Sequence, residues 1–430
     1  MSKILLQSKY SFKKDFQNLL LKRGKSDTKI DVLVKKIILD IKKNSDESLI
    51  KFTHTYDNYF VKKFNELIVK ENEIDKAYSS TPKKVINALN QAIKRIKNFH
   101  KKQFPKDLYY TDHQGVKLGC KWTPIQSVGL YVPGGEASYP SSVIMNAVPA
   151  IVANVNRIVM VCPAPCGLIN PTVLSVAKIL NIKEIYKIGG AQAIAALAFG
   201  TKSIQKVDKI FGPGNAYVAS AKKQVFGKVG IDMVAGPSEI LVVADQFNNP
   251  NHIAIDLLSQ AEHDVLAQAI LITDSGTFAE EVSRNVELEL RTLPRRSIAR
   301  KSWNKYGAII VVNNIYNSYH LINQIAPEHL ELSVKRPSDL TKKIVNAGAM
   351  FIGKYTPEAI GDYVAGPNHV LPTDRTAKFS SGLNVLDFMK RTTVVKCDKK
   401  SIKKIGDSAK VLANEEGLHA HYLSISKRID

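Results

Sequence analysis

VDKIFGPGNAYVASAKKQV, residues 207–225, reads as a short apolar strand, a turn holding Gly212, Pro213 and Gly214, and a helix from about Ala216. A strand that runs through glycines into a helix is the unit from which parallel α/β sheets are built. Backbone N–H groups at such a helix start, with the helix dipole behind them, suit a phosphate. The dinucleotide fingerprint is nevertheless incomplete, because Tyr217 stands where the third glycine should fall. Asp232 lies at the distance expected for a ribose-binding acid, but it is one acid among 39. Two more glycine turns, GLYVPGG at 129–135 and IGGAQA at 188–193, also follow strand-like runs. Taken alone, all three read as turns rather than as a nucleotide site.

Outward from this unit the same alternation continues. RIVMVC, EIYKIGG, EILVVAD, AILITD, AIIVV and AMFIG are short apolar runs separated by helical stretches between residues 157 and 353. They predict parallel sheets with crossover helices, in two successive α/β units with a seam near MVAGPSE at 233–239. The first hundred residues read helical instead. Ile30, Leu33, Val34, Ile37, Ile38 and Ile41 fall on one stripe, and Thr81 with Pro82 opens another through Ile86, Leu89, Ile93 and Ile96. The end of the chain is Lys-rich, then helical through 408–429, with too little apolar surface to fold alone.

Bulk properties narrow the classes. With 430 residues, two main globules are expected. No apolar run approaches the roughly 20 residues that span a bilayer, and MSKILLQSKY lacks the apolar core of a secretory signal, so a cytoplasmic protein with no membrane role is expected. Cys120, Cys162, Cys166 and Cys397 are too few for a disulfide framework and lack a structural-zinc spacing. A net charge of +22 would suit nucleic acid, but the lysines form no stripe interleaved with stacking aromatics, and no nucleic-acid partner is expected.

Chemistry gathers in four stretches. In LLSQAEHD, Gln260 and His263 stand three apart on an expected helix, so both leave one face a turn apart. Alone, the pair reads as a polar helix face. Joined by Asp362 in IGDYVAGPNHV and His421 in NEEGLHAH, it becomes a set of two imidazoles, a carboxylate and an amide oxygen that accepts zinc, and also manganese or cobalt. In QIAPEHLEL, residues 324–332, Pro327 is expected to open a helix carrying Glu328 and His329 in its first turn. The dipole there would favour an ionised Glu328 and a neutral His329, both bases. Alone, this pair reads as surface decoration.

The runs SVGLYVPGG, GGAQAIAALAFGT, VDKIFGPGNAYV, IDMVAGPSEIL, LLSQAEHD, PEHLEL, GDYVAGPNHVLPT and EGLHAH resemble, in order, the motifs of histidinol dehydrogenases, from about residue 30 to 421. The resemblance implies oxidation of L-histidinol to L-histidine through an enzyme-held aldehyde with two NAD, ending histidine biosynthesis. It implies zinc on Gln260, His263, Asp362 and His421, with His421 supplied by the tail of a second subunit of a homodimer; His419 is a bystander. Substrate contacts fall on Ser238, His329, His369, Glu416 and the zinc ligands, and NAD contacts on Tyr131, Gln192 and Asn215. The resemblance also implies that His329 takes the hydroxyl proton and that Glu328 activates a water that hydrates the aldehyde.

The fold implied is α/β: two incomplete Rossmann-like parallel-sheet domains with a helical N-terminal region and a C-terminal helical tail. The expected division is a helical arm at 1–25, a discontinuous first domain of 26–128 plus 239–380 carrying metal and catalytic residues, an NAD domain at 129–238, and a tail at 381–430 reaching a partner subunit. Oxidation of another amino alcohol with zinc and NAD would use the same parts, and a metal hydrolase would use Glu328 and zinc without NAD.

Overall fold

The computed structural model describes residues 3–22, 28–134 and 139–429. Its strands, in chain order, are β1 (Lys3–Leu6), β2 (Leu108–Thr111), β3 (Lys117–Pro124), β4 (Ser127–Tyr131), β5 (Arg157–Val161), β6 (Glu184–Tyr186) and β7 (Lys209–Phe211). They continue with β8 (Gly230–Ile231), β9 (Glu239–Ala244), β10 (Gln268–Thr273), β11 (Ala308–Val311), β12 (His329–Ser333), β13 (Ala349–Ile352) and β14 (Met389–Lys396). One parallel sheet of five strands has the order β6-β5-β4-β7-β8, and one of six has the order β1-β11-β10-β9-β12-β13. A third, antiparallel sheet has the order β14-β3-β2.

The apolar runs became strands because helices cover both faces of these sheets. Every residue of EILVVA in β9 and of QAILIT in β10 is buried, the continuous pattern expected of central parallel strands. The 233–239 break falls between β8 and β9, where the chain leaves one sheet for the other.

Two expectations need correction. The stretch 1–25 is not wholly helical: β1 pairs with β11 at the edge of the six-stranded sheet before helix Phe12–Leu21 begins. The helices between 28 and 102 pack on the five-stranded sheet and do not form one core with the six-stranded sheet of 239–380. Val34, Ile37, Ile38 and Ile41 pack with Val159, Val161 and Ile194, while Leu89 and Ile96 pack with Val128 and Leu130, all on the five-stranded side. Periodicity shows which face of a helix is apolar, not which sheet receives it. The tail from 381 reaches its helices through β14, which pairs antiparallel with β3, and Phe388 just before it stacks on Phe211 at 3.9 Å between ring centroids.

Residues 364–374 run between the two parallel-sheet units and are tied to both. Arg95, on helix Lys83–Lys102, donates from Nε to the Val364 carbonyl at 2.6 Å and from Nη2 to the Ala365 carbonyl at 3.0 Å. Buried Asn368 donates to the Met145 carbonyl at 2.5 Å. On the other side, the Asp374 N–H donates to Glu239 Oε1 at 2.7 Å, at the head of β9. No helix among the described residues is long and apolar enough to cross a membrane.

Candidate active site

The three glycine turns meet where the five-stranded sheet reverses its order. From β4 the chain passes to β5 and β6 on one side and later to β7 and β8 on the other, so the crevice beyond the carboxyl ends of β4 and β7 is the switch point at which such sheets hold ligands. Tyr131 ends β4 and joins two turns. Its hydroxyl accepts from the Gly190 N–H at 3.1 Å, and its carbonyl lies so near Gly212 that a Cβ there would stand 2.1 Å away. Gly212 also has φ +109°, so only glycine fits. Gln192 is buried with Oε1 beside Gly190. Gly135 of the first turn lies outside the described residues.

Asp232 serves the turn and not a ribose. Its Oδ2 accepts from the Gly212 N–H at 2.8 Å, its Oδ1 accepts from Met233 N–H at 2.6 Å, and it forms an ion pair with Lys222, which also donates to the Gly212 carbonyl at 3.0 Å. Both side chains of the pair are 2% exposed. The helix start behind the turn is likewise engaged by its own cap: exposed Asn215 accepts from Tyr217 and Val218 N–H at 3.1 and 3.2 Å.

The Glu328–His329 pair sits elsewhere than expected. Helix Tyr319–Ile325 ends at Ala326, which takes a left-handed φ of 47°, and Pro327 leads into β12, not into a helix. The fixed φ of proline suits strand entry as well as a helix start, and pairing with the β13 edge decides: Gly348 and Ala349 N–H donate to the Pro327 and Glu328 carbonyls, both at 2.9 Å. The helix-dipole argument for a neutral His329 therefore fails. Burial replaces it, lowering the imidazole below its ordinary range against the opposing pull of Asp362.

His329 Nδ1 lies 2.9 Å from the Glu239 carbonyl, which can only accept, so Nδ1 carries the hydrogen and Nε2 the lone pair. Nε2 is buried without a hydrogen-bond partner. It stands 3.7 Å from Glu358 Oε1 and 3.8 Å from Asp362 Oδ1. Glu328 lies at the other edge of the ring, its Oε2 accepting from Glu239 N–H at 2.8 Å and standing 3.7 Å from Nδ1. Half-buried Ser238 immediately precedes that residue.

Asp362 lies on helix Glu358–Tyr363, and its carbonyl accepts from His369 Nδ1 at 3.0 Å. Burial lowers His369 as well, keeping it neutral with Nε2 free to accept. Helix Pro250–Ala261 carries Gln260, 1% exposed, whose Oε1 is buried with no partner. His263 falls just past that helix, its N–H donating to the Gln260 carbonyl at 3.2 Å, and it is near enough to weigh on the charge of both His329 and His369. An orphaned amide oxygen, a carboxylate and imidazoles are a donor set that fits zinc. His421 and Glu416 stand outside this group, exposed, as does His419; the helices Lys399–Glu415 and His419–Ile429 pack on each other through Gly406, Ile425 and Ile429.

Three buried carboxyls, Glu239, Glu331 and Glu358, and half-buried Asp256 escaped the sequence reading. Among the described residues, the one group of His, Cys, Asp and Glu side chains close enough to share a metal is His329, Glu358 and Asp362, with ligand atoms within 4.8 Å. Burial, with Asp362, Glu331 and Glu328 nearby, pushes Glu358 up to about 10. Glu331 Oε1 accepts from Glu358 N–H at 2.6 Å, and burial, with Asp256 beside it, raises Glu331 well above the ordinary carboxyl range. The available signal was spacing: Glu358 is four before Asp362, Asp256 four before Gln260, and Glu331 two after His329 on the same strand face.

A family model described as histidinol dehydrogenase matches residues 21–429. The histidinol dehydrogenase of Rhodospirillum rubrum is 54% identical over 424 residues, covering 98% of each chain. That of Gluconobacter oxydans is 51% identical over 419 residues, covering 97% of each. The crystal structure of histidinol dehydrogenase from Elizabethkingia anophelis is similar with a TM-score of 0.94 at 37% identity, over 100% of this chain and 98% of that one.

Proposed function

Because this chain belongs to the histidinol dehydrogenase family and is an oxidoreductase, we propose that it oxidises L-histidinol to L-histidine through L-histidinaldehyde, with two NAD and one zinc per subunit, as the cytoplasmic end of histidine biosynthesis. The observation that carries this reading is the unpartnered lone pair of His329 Nε2, buried beside Asp362. Zinc, when bound, supplies an anchor for the imidazole and amine of the substrate; Gln260, His263 and Asp362 hold it, with His421 of the partner subunit. NAD supplies the hydride acceptor, held by Tyr131, Gln192 and Asn215.

His329 takes the hydroxyl proton on Nε2 as hydride leaves the adjacent C–H. Burial disfavours the imidazolium, which returns the ring to its neutral form for the second oxidation. Glu328, fixed by Glu239 N–H, activates the water that hydrates the aldehyde. Ser238, His369 and the partner subunit's Glu416 hold the substrate. The exposure of Glu416 and His421 supports a homodimer that completes each site from two chains.

The test is NADH production from L-histidinol, before and after chelation and zinc return. Two NADH per histidinol, lost on chelation and restored by zinc, are expected. A single NADH, or turnover of a different amino alcohol in preference, would overturn the assignment.

A further inference from the structure

Glu358 has a place in this chemistry that its isolation in the sequence conceals. Its Oε1 and His329 Nε2 are both buried, both lack a protein partner, and face each other across 3.7 Å. Its other oxygen, Oε2, accepts from Ser259 Oγ at 3.5 Å, its backbone N–H donates to Glu331, and Asp362 lies beside the carboxyl, whose Oε1 faces the ring. Two orphaned polar atoms aimed at one point call for a ligand atom between them.

The two oxidations differ in what they bring to that point. The alcohol presents one hydroxyl, and the lone pair on Nε2 takes its hydrogen. The hydrated aldehyde presents two hydroxyls on the same carbon. His329 has one free nitrogen, Asp362 belongs to the metal set, and Glu328 lies at the Nδ1 edge of the ring. Building on the function proposed above, we infer that Glu358 binds the second hydroxyl of the hydrate, making it a further substrate-binding residue specific to the second oxidation. In that step the C–H bond breaks with its hydride going to the oxidised nicotinamide, one O–H proton passes to Nε2, and the carbon–oxygen double bond of the acid forms. Glu358 holds the remaining hydroxyl, whose proton leaves to solvent as the carboxylate is released.

The experiment compares kcat/KM for L-histidinal with that for L-histidinol in zinc-loaded wild type, Glu358→Ala and Glu358→Gln. A lost hydrogen bond to a charged or buried partner predicts that the aldehyde-to-alcohol ratio falls by about tenfold or more in Glu358→Ala. The isosteric Glu358→Gln, which preserves packing should the alanine variant fail to fold, shifts the ratio the same way. Semicarbazide is expected to trap histidinal released by both variants. An unchanged ratio, with both steps falling equally or neither falling, overturns the inference. A wild-type enzyme inactive on L-histidinol would instead sink the function on which it rests.

Discussion

The Glu239 main chain grips both catalytic candidates at once: its N–H donates to Glu328 Oε2 at 2.8 Å and its carbonyl takes His329 Nδ1–H at 2.9 Å. Backbone geometry at the head of β9 thus sets the tautomer of one base and the orientation of the other.

His329→Asn removes the Nε2 acceptor while leaving the Gln260, His263 and Asp362 side chains untouched. Turnover is expected to fall by about 10²–10⁴-fold, the range for loss of a general base. Zinc content by elemental analysis and histidinol affinity by calorimetry are expected to stay near wild type. Loss of metal in this variant would assign His329 to the metal instead.

A shared site has a distinctive genetic signature. Mixing His329→Asn with His421→Ala chains, each inactive alone, creates heterodimers with one doubly damaged site and one intact site. With random exchange, half of the dimers are mixed and activity recovers to about a quarter of wild type, as two-fold symmetry requires. No recovery after verified subunit exchange would place both groups in one chain's site.

The Lys222–Asp232 pair is buried at both ends, so removing one partner strands a charge. Asp232→Asn or Lys222→Met is expected to lower unfolding stability by about 3–5 kcal/mol in urea titrations. Where the variant remains folded, KM for NAD should rise, since the pair fixes the Gly212 turn. Unchanged stability would show the pair to be dispensable.

Asp57 is buried, its Oδ2 has no partner, and burial raises it to about 6. A carboxyl raised on folding binds its proton more tightly in the native state, so its contribution is full below the unfolded value near 3.9 and is lost as pH rises through about 6. Asp57→Asn, which never ionises, is therefore expected to raise Tm at pH 8 by a few degrees and to leave it nearly unchanged at pH 4. An equal effect at both pH values would mean that ionisation is not the cause.

Much of this molecule was legible in its sequence, and the gaps have physical reasons. Strands buried on both faces announce themselves as unbroken apolar runs, as in EILVVA and AILIT. β14 does not, because six of its eight residues are exposed and a further one is only partly covered; its register against β3 depends on a partner some 270 positions away. The Gln260–His263 spacing was readable because helical geometry is local. Glu358 was legible only as a neighbour four residues before Asp362, since nothing local shows that an acid in a first helical turn will lie under His329 rather than in solvent. The Pro327 reading failed for the same reason: a proline restricts its own φ but does not choose between a helix and the edge of a neighbouring strand.

The Arg95 brace has an evolutionary corollary. Both of its acceptors are main-chain carbonyls, which every amino acid possesses, so positions 364 and 365 are free to vary in side chain without loosening it. Position 95 has no such latitude, for a lysine offers no planar fork with which to reach two carbonyls together. Substitution tolerance across this contact should be lopsided: permissive on the loop between Asp362 and His369, and strict on the helix that braces it.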